Sequence, residues 1–361
     1  GNLTVVSGTI GATKTLKSVT VDTTGGVATF TGAVATTGFT TTGTGTTILT
    51  GGGTITNLTA TGDVTSNAAL TLSGNMAITG GELIANGDVT FDGATAQTVT
   101  GEVEGTGNMI IDNAAGVTFE DNVGSGFVIG ALTINTGKGA TFNGTLTVTS
   151  IDLDGTIKIE DTVDLNAGDI DIATGATITL GDGIGNGDTA FIVNSVTIVG
   201  DATINLPTNL SAGDVIKLFD SGTDVASANL KITDNALFTF TIDDSTDDID
   251  VSVAAKTTAQ TVATLGISTQ DAIALTNANT AIIADGDETV SANFAAALNA
   301  GGADATKAAE TVAVQADTLG AGTNVAISTG GTVIGISSDR LGSLRIGNQF
   351  ETSAATGFAT G

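Results

Sequence analysis

A short strand motif recurs through most of this sequence and constrains the fold more than any other feature. Two to four apolar or β-branched residues alternate with Thr or Asp, and each run ends at Gly, Asn or Asp. The clearest copies lie between Asp88 and Leu206, and they include Asp88–Gly93, Ala140–Gly144, Ala176–Leu180 and Ala202–Leu206. Alternation with a period of two indicates strands that bury one face. The sequence therefore predicts many short strands joined by tight turns.

The spacing of these runs indicates how the strands are arranged. They begin roughly 8 to 12 residues apart, and Phe91, Phe119 and Phe142 recur at roughly 20 to 28 residues, as in solenoid coils. Residues 1–87 repeat the theme more weakly, with Thr/Gly runs that are also typical of linkers. Because β-branched Thr favours strands and the spacing continues, we interpret them as rungs. We predict an all-β, right-handed parallel β-helix (β-solenoid) with rungs over residues 1–210.

Charge and hydropathy exclude several kinds of partner. The chain carries 38 Asp and Glu against 10 Lys and Arg, a net charge of −28. Nucleic acids and anionic membrane surfaces both require cationic residues, so neither is an expected partner. The sequence has no apolar run long enough to span a bilayer, so we expect no transmembrane segment. The negative charge favours solubility and attracts divalent cations.

The amino acids that are missing bear on catalysis and on location. The sequence contains no Cys, His, Trp or Tyr. A Ser-His-Asp catalytic triad is therefore impossible, and the aromatic platforms typical of sugar-binding sites are missing too. The absence of Cys, together with the Thr, Gly, Asn and Asp bias, fits a bacterial extracellular protein. We expect no enzymatic activity and assign no catalytic residue.

The pattern changes twice after Pro207. Between residues 211 and 254 the strands become longer and richer in Phe, which predicts a cap of hairpins over the last rung. Residues 255–361 begin with Ala-rich stretches of helical period, and Ser268 and Asp271 have capping-box spacing. Strand-like runs return over 325–336. We predict a short helical and strand tail over 255–361.

Three segments of this C-terminal part resemble the passenger region of bacterial type V autotransporters. They are the strand Asp214–Phe219, the Phe-rich strands that end at Asp250–Val253, and Ser337–Arg345, which holds both arginines. In that family the passenger is a right-handed β-helix, and an autochaperone segment promotes its folding during secretion. The resemblance implies that residues 213–253 are the autochaperone counterpart. It also implies that the tail is the linker before a translocator barrel.

Acidic residues supply the sequence's candidate metal ligands. Asp243, Asp244, Asp247 and Asp248 form the densest cluster, and hard cations such as Ca²⁺ bind several carboxylate oxygens. The spacing is not that of an EF-hand, and we favour a solvated hairpin turn. A second set alternates with Ile and Leu and should form an outward acidic face: Asp152, Asp154, Asp169 and Asp171. Calcium is the one cofactor that the sequence suggests.

These observations favour a non-enzymatic extracellular structural or adhesive protein, secreted as an autotransporter-type passenger. In one version, subunits stack head to tail into a surface filament, since the strand at Leu3–Val6 offers an edge that a neighbour can extend. In the other version, a monomeric adhesin binds a host or environmental surface. A third interpretation is a β-helical polysaccharide-degrading enzyme. Activity that is lost on replacing Asp152 would support it.

Overall fold

A computed structural model describes residues 3–5, 8–165, 168–223, 225–244 and 247–285, with 293–294, 297–298, 303 and 305–309. The chain divides into two compact units. Unit 1 consists of Gly1–Pro207, Gly213–Thr233 and Phe240–Val253, and unit 2 consists of Thr208–Ala212, Asp234–Thr239 and Ala254–Gly361. The strand-like runs predicted over 325–336 and the linker-like segment 337–345 lie outside the described residues.

Short strands make up most of the described chain. The first fifteen are β1 (Leu3–Val5), β2 (Leu16–Asp22), β3 (Val27–Phe30), β4 (Val34–Thr42), β5 (Thr46–Leu49), β6 (Gly53–Ala60), β7 (Val64–Ser66), β8 (Leu70–Leu72), β9 (Met76–Ile78), β10 (Leu83–Ala85), β11 (Val89–Phe91), β12 (Gln97–Thr100), β13 (Val103–Glu104), β14 (Met109–Ile111) and β15 (Val117–Phe119). The others are β16 (Ile129–Ile134), β17 (Gly139–Phe142), β18 (Leu146–Leu153), β19 (Thr156–Ile159), β20 (Val163–Asp164), β21 (Asp169–Ile172), β22 (Thr177–Leu180), β23 (Thr189–Val193), β24 (Ser195–Ile198), β25 (Ala202–Asn205), β26 (Val215–Ser221), β27 (Leu230–Ile232), β28 (Phe238–Asp243) and β29 (Ile249–Ala255). A 3₁₀ turn, Ser227–Asn229, precedes β27, and two helices follow the strands: α1 (Thr258–Leu265) and α2 (Thr269–Asp285).

Parallel pairing arranges the strands of unit 1 in three ladders, which confirms the predicted all-β parallel solenoid. The first ladder stacks β2, β4, β6, β8, β11, β14, β16, β18, β21 and β24 in that order. The second passes through the later residues of β2, β4 and β6, where Val19, Phe39 and Leu58 pair in turn, and continues with β9, β12, β15, β17, β19, β22, β25 and β27. The third contains β1, β3, β5, β7, β10 and β13, and it resumes after bridges through Val123 with β18, β20, β23 and β26.

The coils differ in length because the turns between strands differ. Near the start of the stack, the coil that separates the paired residues Gly53 and Leu70 is short. Near the other end, the coil that separates the paired residues Ala202 and Leu230 is much longer. Since the strands themselves keep their register, extra residues are accommodated at the corners of the coil.

The coil length predicted from the spacing of Phe91, Phe119 and Phe142 is confirmed for one of the two intervals. Phe119 and Phe142 pair across one coil in the second ladder, with ring centroids 4.8 Å apart. Phe91 belongs to the first ladder, where it pairs with Leu72 and Ile111. Its ring meets that of Phe119 edge-on inside the coil, with centroids 5.1 Å apart. The interval between Phe91 and Phe119 therefore joins two ladders and is not one coil.

The solenoid interior is built from the apolar positions of each alternating strand. Three-residue strands such as β8, β11 and β15 bury their first and third side chains and turn the middle one outward. Burying a Val, Leu, Ile or Phe side chain contributes about 1.5–3 kcal/mol. Because neighbouring coils stack in register, each buried side chain packs on the equivalent side chain above and below. The alternation seen in the sequence thus becomes continuous apolar columns.

Asn side chains support the corners between rungs. Their amide groups donate to a carboxylate or amide oxygen one coil earlier. The pairs include Asn86 to Asn67 at 2.9 Å, Asn143 to Glu120 at 2.7 Å and Asn194 to Asp169 at 3.1 Å. Such bonds contribute about 0.5–1.5 kcal/mol each when partly shielded.

The predicted hairpin after the rungs begins as one more rung. β26 pairs in parallel with β23, as Phe191 opposite Phe219 shows. β29 then pairs with β26 in the antiparallel direction, with Ile216 opposite Val251. The parallel ladder therefore ends in an antiparallel strand, whose reversed direction cannot continue the coil.

Capping residues define the helices of unit 2. Thr257 and Gln260 form a full capping box before α1, and Gly266 ends that helix with a left-handed φ of 67°. The capping box predicted at Ser268 and Asp271 is confirmed, since the Ser268 hydroxyl accepts from the Asp271 N–H at 3.1 Å.

Unit 2 has a hydrophobic core of its own. It is formed mainly by these side chains: Leu237, Leu265, Ala272, Leu275, Ile282, Phe294, Leu298, Ala305 and Ala308. No helix within the described residues has the length and apolar character to cross a bilayer.

Candidate functional site

The four aspartates predicted as calcium ligands do not converge. Among the described residues, no three of their carboxylates offer oxygens within 4.8 Å of one another. Asp244 accepts hydrogen bonds from the N–H and hydroxyl of Ser227 at 3.1 and 2.6 Å. Asp243 and Asp247 flank this segment on β28 and before β29. The calcium site at these residues stays a prediction.

Asp248 is engaged by a lysine. Lys217 Nζ donates to Asp248 Oδ2 at 2.8 Å, and the Ser221 N–H donates to Oδ1 at 3.2 Å. The lysine contact is the main reason why the pKa of Asp248 lies below its usual range. This ion pair joins the segment before β29 to β26, so Asp248 has a structural role there.

The second predicted acidic set lies on the outward face of the first ladder, as its alternation indicated. Asp152 pairs directly with Asp171 on the next coil, and both are exposed. Loss of hydration at its carboxylate, and to a smaller extent the negative charges of Asp154 and Asp171, raise the pKa of Asp152. Asp169 differs because hydrogen bonds from the Asn194 amide at 3.1 Å and from the Ser195 hydroxyl at 2.8 Å lower its pKa.

The structure instead brings together three glutamates that the sequence analysis did not single out. Glu82, Glu102 and Glu104 offer carboxylate oxygens that all lie within 4.8 Å of one another. The third ladder positions them, because Leu83 pairs with Val103 on the next coil. Glu82 and Glu102 are half-buried, and Glu104 is 4% exposed.

Glu104 is fixed from the opposite side by a turn of the following coil. Its Oε1 accepts from the Gly126 N–H at 2.6 Å and from the Ser125 hydroxyl at 3.1 Å. A Cβ at residue 126 would lie 2.5 Å from that oxygen, so the close approach requires glycine. Glu102 is held more loosely, by the Asn122 amide at 3.2 Å.

Burial and the repulsion between like charges together determine the electrostatics of this site. Burial raises the pKa of Glu82, and the negative charges of Glu104, Asp63 and Glu102 raise it further. Glu82 and Glu104 also lie within hydrogen-bonding distance, so a proton on Glu82 can be donated to Glu104. The three carboxylates can therefore share a proton or hold a hard cation, which would need additional oxygen ligands from water.

Replacing Glu82 with Gln should stabilise the protein at pH 7 by about 0.2–1 kcal/mol, because it removes a like charge between stacked strands. The native Glu82 has a folded pKa above its ordinary value near 4.5. Its contribution to stability is fully present below that value and is lost as the pH rises through the folded pKa. The Gln variant should therefore lose less stability than the native chain between pH 5 and pH 7.

Urea unfolding followed by circular dichroism, in the presence of a chelator at both pH values, measures this difference. Asp92→Asn on the exposed surface is the matched control. If the free energy of unfolding depends on pH equally in the native chain and in the Glu82→Gln variant, the raised pKa assigned to Glu82 is wrong.

A repeat in the sequence could have revealed this site. Gly81-Glu82-Leu83 recurs as Gly101-Glu102-Val103, and the pairing of Leu83 with Val103 places the two copies one coil apart. Glu104 then falls on the same edge because it lies further along the strand that begins at Val103. The signal is visible once the register of the third ladder is known.

A shallow cavity of about 190 Å³ lies on the outward face of the second ladder. Its lining includes Thr118, Thr141 and Lys158. It is smaller than the roughly 300–1,000 Å³ of most ligand pockets. The Lys158 ammonium is paired with Glu160. The cavity therefore lacks the volume and the convergent polar groups of a substrate site.

Comparison with known proteins supplies no functional assignment. No protein-family model matches the chain, and neither a curated protein nor a solved structure is similar to it. Function must therefore be argued from the fold and its surfaces.

Proposed function

We propose that this protein is a non-enzymatic extracellular structural or adhesive protein whose solenoid acts as a stiff scaffold. The observation that supports this function best is the continuity of the apolar columns through unit 1. One column of the first ladder runs through ten paired residues from Leu16 to Ile198, of which nine are apolar and one is Thr36. Stacked coils of this kind resist bending, because every inner coil is hydrogen-bonded to both neighbours.

The use of polar residues in unit 1 also supports a scaffold. The corner amides bond across coils, and Lys217 is committed to its ion pair with Asp248. Glu104 bonds to a neighbouring turn. Side chains that bond in this way hold neighbouring coils together. Secretion as an autotransporter-type passenger belongs to the same proposal and is supported by the sequence resemblance.

Retention under flow tests the adhesive form of the proposal. Beads coated with the purified chain should be retained on glass, plastic or host-cell layers more strongly than beads coated with an acidic globular protein of similar charge. The same chain should release no sugar from acidic or neutral polysaccharides.

Sugar release would overturn the proposal if it were abolished by Glu104→Gln in a chain with an unchanged circular dichroism spectrum. Glu120→Gln, at an exposed position, is the matched control for that variant. If beads coated with this chain are retained no more strongly than beads coated with the acidic control protein, the adhesive form of the proposal is excluded. The structural form would remain, and it depends on assembly of the chain.

A further inference from the structure

Three Asn-Gly pairs occur in this sequence, and each lies between two strands of the solenoid. They are Asn86-Gly87, Asn143-Gly144 and Asn186-Gly187. In such a pair the glycine nitrogen can attack the side-chain carbonyl of the asparagine, because glycine has no Cβ and lets the backbone reach the required geometry. The attack requires a glycine N–H that no other group holds. The hydrogen bonds of the three glycines therefore decide which pair can react.

Hydrogen bonds hold the first and the third of these glycines. The Gly87 N–H donates to Ser66 O at 3.1 Å, and the Gly187 N–H donates to Val215 O at 2.8 Å. Asn186 is held as well, since its Oδ1 accepts from the Val215 N–H at 2.9 Å. Attack at either pair must first break these bonds.

Gly144 differs from both. Within the described part of the chain, its N–H donates to no backbone or side-chain acceptor. The neighbouring asparagine is otherwise matched to Asn86, because both are exposed and both amides donate to a group one coil earlier. Asn143 donates to Glu120 at 2.7 Å. Asn86 donates to Asn67 at 2.9 Å. The free glycine N–H is therefore the feature that separates these two pairs.

We propose that Asn143-Gly144 is a site of spontaneous modification, at which this chain converts an asparagine into aspartate and isoaspartate. The Gly144 nitrogen bonds to Cγ of Asn143 and closes a five-membered succinimide ring. The Cγ–Nδ2 bond breaks, and Nδ2 leaves as ammonia with the proton of the Gly144 N–H. Water then opens the ring. Attack of water at Cγ gives aspartate, and attack at the main-chain carbonyl carbon gives isoaspartate, in which the chain runs through the former side chain.

Either product disrupts the corner at which it forms. An aspartate places a second carboxylate where Asn143 Nδ2 donates to Glu120, so an attractive contact becomes a repulsive one. An isoaspartate adds a methylene group to the main chain between two bonds that join this coil to the preceding one. These bonds are Asn143 N–H to Phe119 O at 2.9 Å and Thr145 N–H to Asn122 Oδ1 at 3.1 Å. The modification should therefore loosen the coil at this corner.

Incubation of the full chain in isotopically labelled water, followed by mass mapping of its peptides, tests the site. The label enters when the ring opens, so it marks conversion that occurred during the incubation. In the native chain Asn143 should convert about twofold to tenfold faster than Asn86 or Asn186, since those sites must first lose a backbone hydrogen bond. In urea the three pairs should convert at similar rates, because unfolding removes the bonds that distinguish them.

Variants separate the chemistry from its consequence. Asn143→Gln cannot close the five-membered ring and should stay unlabelled at this position, and Asn143→Ser serves if the longer side chain disturbs the corner. Asn143→Asp carries one product from the start and should unfold at a lower urea concentration than the native chain. Asn86→Asp is the matched control, because its new carboxylate meets the amide of Asn67 and should shift the urea midpoint less.

Equal conversion at the three pairs of the native chain would overturn the inference, because the reaction would then proceed through unfolded molecules. So would a native Asn143 that stays unlabelled while the urea sample converts. An Asn143→Asp chain that is as stable as the native chain would overturn the assigned effect on the corner. None of these outcomes bears on the structural or adhesive function, which the bead-retention experiment tests separately.

Discussion

Replacing Phe119 with Ala should lower the free energy of unfolding by about 3–5 kcal/mol. Phe119 is 1% exposed, and its ring lies parallel to that of Phe142 and edge-on to that of Phe91. Truncation removes both aromatic contacts, worth about 0.5–1.5 kcal/mol each beyond burial. It also leaves a cavity that paired coils on either side cannot close, because their backbones are held in register.

Urea unfolding followed by far-ultraviolet circular dichroism measures this loss of stability. Circular dichroism suits this chain because it has no Trp or Tyr whose fluorescence could report unfolding. Phe127→Ala is the matched control, since Phe127 is 61% exposed and should change stability by no more than about 0.5 kcal/mol. Similar losses in the two variants would show that Phe119 does not carry the packing assigned to it.

Replacing Gln97 with Leu should cost about 2–4 kcal/mol, although the residue sits in a mostly apolar interior. Gln97 is 1% exposed, and its amide donates to the carbonyls of Leu72 and Gly74 at 2.9 and 2.7 Å. Its oxygen accepts from Asn113 Nδ2 at 2.7 Å. A Leu side chain leaves the Gly74 carbonyl without this donor and leaves the Asn113 amide only its bond to Thr95 O, and buried polar groups that lose their partners are costly.

The double variant Gln97→Leu/Asn113→Leu provides the sharper test. If the two amides form one network across three coils, the losses of the single variants should not add. The double variant should then be less destabilised than the sum of the two single variants. Additive losses would mean that the two side chains contribute independently.

The strands and their buried faces could be predicted from local sequence. Val-Thr-Phe at 89–91 and again at 117–119 alternates with a period of two, and both strands bury the Val and the Phe. The Ser268 capping box was equally predictable, because its partner Asp271 lies within the same helical turn. These features depend on neighbours within one strand or one helical turn.

The candidate site could not be predicted in the same way. The Asp243–Asp248 run is dense in sequence, yet its carboxylates are separated and bonded to groups such as Lys217 and Ser227. Glu82 and Glu104 are more than a full coil apart in sequence and come together because β10 pairs with β13. Which carboxylates meet depends on the register between coils.

By itself, the sequence determined that this chain forms short parallel rungs with a Val, Ile, Leu, Thr and Phe interior and a strongly acidic surface. The tertiary structure decided which rungs are neighbours, and hence the Glu82 cluster and the buried Gln97 network. The physical reason is unequal coil length, since the coil from Gly53 to Leu70 is much shorter than the coil from Ala202 to Leu230. Turns of unequal length keep the apolar alternation intact while they shift which polar residues stack, so local patterns cannot specify those contacts.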